Sequence, residues 1–123
     1  MADRKDEIME GLALGISTVY RVLLDVCGAL PVPIGLPVDR NIPVGNAVPA
    51  IERVAEIAED QPMGDLQTTQ LYSGCIHLLV AIDLYALCAA RYTNARAEGS
   101  SVNLLHARAE LDPLYVWLIS RTD

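Results

Sequence analysis

The chain has 123 residues, which fits one domain, 1–123, long enough to bury a core. Its apolar share is 52 % without glycine, whereas average domains reach about 45–50 % only with glycine counted, so some of the surplus is expected in a subunit interface, a ligand cavity or a membrane, and a homo-oligomer, with a dimer favoured, is the preferred reading. The net charge of −7 and the absence of any Lys/Arg cluster exclude the phosphate-neutralising surface that nucleic-acid binding needs.

The acidity belongs to the front of the chain: residues 1–65 carry 5 Lys or Arg against 11 Asp or Glu, and residues 66–123 carry 4 against 5. Such a half solubilises, or meets a basic protein partner. The start, MADRKDEIMEG, lacks the basic-then-apolar order of a secretion signal. A helix wound over 6–30 gathers Glu7, Glu10, Thr18, Arg21 and Asp25 on one side, and Ile8, Leu12, Ile16, Val19, Tyr20, Leu23 and Cys27 on the other. Cys27, Cys75 and Cys88 are odd in number and widely spaced. They suggest no disulfide framework and no metal or redox pair, and are expected as small buried hydrophobes in a reducing cytoplasm.

Residues 28–49 read GALPVPIGLPVDRNIPVGNAVP, in which prolines remove backbone donors too often for a helix or a central strand, so a loop is expected over about 30–48. Ile34, Leu36 and Val38 make this loop too apolar for a solvated linker, so it is expected against a pocket mouth or a neighbouring subunit. Pro49 suits the first position of a second helix, 49–60, with Glu52, Arg53, Glu56 and Glu59 facing out. Asp65 caps a third helix, expected to run over about 66–97 and to end at Gly99. Its middle is apolar on nearly all sides, the pattern of a helix surrounded by others. It is long enough to span a bilayer, but a central Asp83 costs about 2.5–3.5 kcal/mol there, which argues against a membrane protein. Ser100 or Ser101 caps a fourth helix, 102–111, and Asp112-Pro113 opens a last short one ending near 120. With no alternating strand pattern, the fold class is all-α: a small bundle of four to five helices around the long third one, carrying the Pro-rich apolar loop.

Two ionisable residues interrupt the third helix. His77 and Asp83 lie about 120° apart around it and so form no obvious dyad. A buried carboxylate costs several kcal/mol, so Asp83 needs a partner, a wet opening, or a raised pKa. The functional reading makes Asp83 an acid/base in an apolar pocket between the first and third helices, with His77, Tyr72 or Tyr20 orienting and Leu79, Ala86, Ile34 and Leu36 lining the site. The plainer reading makes Asp83 a satisfied core residue and His77 a core or interface histidine. No phosphate loop, metal-ligand spacing or nucleophile elbow occurs, so neither metal nor cofactor is expected. These residues point to an apolar small molecule held in the bundle, with cofactor-free isomerase, cyclase or hydrolase chemistry if there is catalysis. The alternatives are an acidic interaction module of inhibitor or immunity type, and a structural subunit.

Overall fold

In the computed structural model, residues 3–38 and 46–121 are described, and all secondary structure among them is helical. Four helices follow in order: α1 (Arg4–Ala29), α2 (Ala47–Ile57), α3 (Asp65–Ala90) and α4 (Asn94–Ser120), with a single 3₁₀ turn, Ala58–Asp60, extending α2. α3 packs against the other three helices, α1 also packs on α4, and α2 rests on α3. The core runs through this arrangement as Leu12, Ile16, Tyr20 and Leu23 of α1, Ile51 and Val54 of α2, Leu71, Cys75 and Leu78 of α3, and Leu104, Ala107, Leu111 and Leu114 of α4. In each helix these residues recur at three- and four-residue spacing, the stripe that one buried face requires.

Where α3 meets α4 the approach is close. A Cβ at Gly74 would stand 2.5 Å from Leu111 Cδ2, and one at Gly99 would stand 3.0 Å from Leu84 Cδ1. The buried hydroxyl of Ser100 crosses the same seam and donates to the Ala81 carbonyl at 2.8 Å.

Three expectations about the elements are corrected. The third helix stops at Ala90, not near Ala97. Arg91 is extended (φ −152°, ψ 101°) and Thr93 (φ −140°, ψ 148°) caps the next helix, its Oγ1 accepting from the Arg96 amide at 3.1 Å. The Arg96 guanidinium donates back to the Arg91 carbonyl at 2.8 Å, so both ends of the break are hydrogen-bonded locally. The predicted fourth and fifth helices are one continuous α4 that passes through Gly99, Ser101 and Pro113. Pro113 sits on the exposed side of α4, where the Ala109 carbonyl that loses its amide donor can turn to water. Pro49 lies within the first turn of α2, two residues after its start, where amide donors have no helical partner in any case.

The enclosure expected of the third helix is also corrected. Tyr72, Val80, Asp83, Ala86, Leu87 and Ala90 are exposed along one flank of α3. By length and composition α1 and α3 could each cross a membrane, a test that core helices also pass.

Candidate functional site

The proline-rich segment is stapled to the bundle through its backbone. Gln61, 6 % exposed, lays its amide along Val32: the Val32 N–H donates to Oε1 at 2.9 Å and Nε2 donates to the Val32 carbonyl at 2.7 Å. One side chain thereby substitutes for a neighbouring strand. Closer to α1, the Ile34 amide donates to the Cys27 carbonyl at 3.0 Å, and the Tyr20 hydroxyl donates to the Pro37 carbonyl at 2.8 Å. Ile34 and Leu36 pack half-buried against the core while Val32 and Val38 face outward. Residues 39–45, which carry the rest of the expected loop, lie outside the described residues.

Tyr20 has no exposed surface and its hydroxyl is engaged by Pro37. Burial, followed by the nearby Cys27 thiol, raises its pKa, which keeps the phenol a donor. The thiols of Cys27 and Cys75 lie in the same interior. Burial pushes Cys27 to about 12 and raises Cys75 further, with Cys27 adding to the rise.

The polar pair of the third helix is not brought together. Asp83 is exposed, so its carboxylate is hydrated and the partner expected of a buried acid is unnecessary. Ala86 is exposed beside it. His77 is half-buried on the α4 side, its Nδ1 2.9 Å from Asn103 Oδ1. Asn103 spends its amide hydrogen on the Gly99 carbonyl at 2.8 Å, so Oδ1 accepts and His77 Nδ1 carries the hydrogen. The His106 ring stacks on His77 at 5.2 Å between centroids. This is an inter-helix polar seam.

Described residues line two open grooves. The larger, about 680 Å³, lies between α1 and α4. Gly11 and Gly15 form its α1 wall with Ile8, Leu12 and Val19, and Ala97, Leu104 and Leu105 form the α4 wall; Arg4 and Arg108 are also among its lining residues. Gly15 admits Leu104, whose Cδ1 would stand 2.9 Å from a Cβ there, whereas nothing lies within 4 Å of a Cβ at Gly11. Leu105 is 69 % exposed on the outer rim, and Leu14, 70 % exposed, stands on the shoulder of α1 within a turn of Gly11 and Thr18. The smaller groove, about 450 Å³, lies between α2 and α3, lined by Glu52, Ala55, Glu56 and Glu59 against Tyr72, Ile76 and Leu79. Of the residues expected at a site, Tyr72 and Leu79 therefore share a groove, and Asp83, His77, Tyr20, Ile34, Leu36 and Ala86 line neither of the two.

Comparisons with protein-family models, with characterised proteins and with solved structures find no match. No cluster of three or more His, Cys, Asp or Glu with metal-holding geometry occurs among the described residues. Sequence reasoning passed over Gln61, taken as part of a helix break, and the α1/α4 groove, because Gly11 and Gly15 carry no side chain that a hydrophobic pattern registers.

Proposed function

We propose that this protein is a non-catalytic, self-associating helical module in which two copies meet through the α1/α4 groove. The observation that carries the proposal is the pair of leucines, Leu14 and Leu105, exposed at 70 % and 69 % beside an apolar trough whose wall is opened by glycine. A small molecule seated in the trough would touch Leu105, which lines it, but leave Leu14 in water, whereas a helix laid along it covers both. The apolar face continues down α4. Val102, Leu105, Ala109, Val116 and Ile119 follow the three-four spacing of a helix-packing seam and all are exposed, with Asp112 at the single polar register position.

A second reading keeps the trough and changes its occupant. Its volume of about 680 Å³ falls within the range of small-molecule pockets, about 300–1,000 Å³, and Arg4 or Arg108 could meet an acidic head group on an apolar ligand.

Gly11→Leu separates these proposals from a purely passive surface. The side chain meets nothing of its own chain at Cβ and improves helix propensity by roughly 0.5–1 kcal/mol, yet it fills the trough. The expected result is a thermally stabilised protein that no longer self-associates. An unchanged association state overturns the dimer reading. A monomeric wild type that Gly11→Leu deprives of a co-purifying apolar ligand, detected by native mass spectrometry, favours the second.

A further inference from the structure

The α2/α3 groove differs in chemistry from the α1/α4 trough. Its α2 wall presents three carboxylates, Glu52, Glu56 and Glu59, and its α3 wall presents Tyr72, Ile76 and Leu79, with Ala55 at the base and no Lys or Arg in the lining. The glutamates recur at four and three residues, so they form one row about 10.5 Å long at 1.5 Å per residue. That is two turns of helix.

Nothing in the energetics of α2 calls for this row. Glu52 and Glu56 are like charges one turn apart, which costs a helix a few tenths of a kcal/mol. Glu56 lies in the last turn and Glu59 just beyond it, where the helix dipole favours cations, and α2 has no basic residue in that turn. None of the three is in an ion pair among the described residues, where Arg108–Asp112 at 3.0 Å is the sole salt bridge. Across the groove, Tyr72 is 51 % exposed, an uncovered aromatic ring of the kind that attracts cations at its face.

We propose that the α2/α3 groove binds a basic amphipathic helix of a partner protein. Its Lys or Arg residues, spaced at i and i+4, would pair with Glu52, Glu56 and Glu59, and its apolar face would cover Tyr72, Ile76 and Leu79. A compact cation needs one or two carboxylates; a row with helical spacing along an apolar strip matches the charge and the periodicity of a helix. The groove and the self-association trough share no lining residue, so the two sites are tested separately.

The probe is a fluorescein-labelled synthetic peptide of leucine and lysine in amphipathic helical order, titrated with the full-length protein and followed by fluorescence anisotropy. Glu52→Gln/Glu56→Gln/Glu59→Gln is expected to weaken binding at least tenfold while its melting temperature stays equal or rises, since like-charge repulsion is removed. Asp6→Asn/Glu7→Gln/Glu10→Gln removes the same charge from α1 and is expected to change binding less than twofold. Tyr72→Ala is expected to weaken binding at moderate salt. Equal losses in the two triple variants would show attraction to net charge alone and overturn the proposal, as would absence of peptide binding to the wild type.

Discussion

Gln61 holds both backbone polar groups of Val32. Truncating it removes two part-buried hydrogen bonds, each with a net worth of about 0.5–1.5 kcal/mol. Gln61→Ala is therefore expected to lower the unfolding free energy by that order, read from the fall in the urea midpoint, and to accelerate proteolysis in the segment after α1, and unchanged cleavage there would show that the staple is dispensable. Gly74 makes the opposite demand, for empty space. A methyl group added there meets fully buried Leu111, and overpacking of about 1–3 kcal/mol outweighs a propensity gain of at most about 1 kcal/mol. Gly74→Ala should destabilise the protein, whereas Gly28→Ala, with nothing within 4 Å, should stabilise it; equilibrium unfolding of the pair decides. The thiols set a third expectation. Cys27 ionises near 12 in the folded protein against an ordinary value of 9.0, and Cys75 is shifted in the same direction. The folded state thus keeps protons that the unfolded chain releases. Stability is fully present below about pH 9 and falls as pH rises towards 12, by up to about 1.4 kcal/mol per pH unit for each thiol. Melting curves from pH 7 to above 10 should show a plateau and then a decline, and thiol reagents should leave both cysteines unmodified in the native protein.

At the level of elements, the sequence carries the helices more clearly than their ends. α1 and the α2 region follow the expected stripes within a few residues. The α3–α4 break was hidden because Gly99 looks like a terminator, while the real break depends on Thr93 accepting from Arg96 and on Arg96 reaching Arg91, contacts that a pattern of apolar residues does not encode. Serine misled for a related reason: Ser100 has the chemistry of a cap but bonds the carbonyl of Ala81 across the bundle. Pro113 looked like the start of a helix because of Asp112 before it, yet Asp112 pairs with Arg108 one turn earlier and the helix continues. Pro113→Ala restores an amide donor in the interior of α4 and is expected to stabilise the protein by about 1–3 kcal/mol. A loss of stability would mean that the proline fixes a bend the bundle requires.

At the scale of the whole molecule, the high apolar content does not go into a cavity around Asp83. It is divided between a filled core and uncovered flanks of α1, α3 and α4. A helix apolar on nearly all sides predicts complete enclosure, but an exposed apolar flank gives the same composition, and Asp83 is tolerated because it lies on that flank. Sequence can show that apolar surface is in surplus; only the packing shows which faces remain open. Self-association through the α1/α4 trough is read by sedimentation equilibrium of the wild type beside Leu14→Glu/Leu105→Glu, with circular dichroism to confirm equal helix content. The expected result is a dimer for the wild type and a folded monomer for the variant. A wild type that stays monomeric at high micromolar concentration, or a variant that dimerises as before, contradicts it.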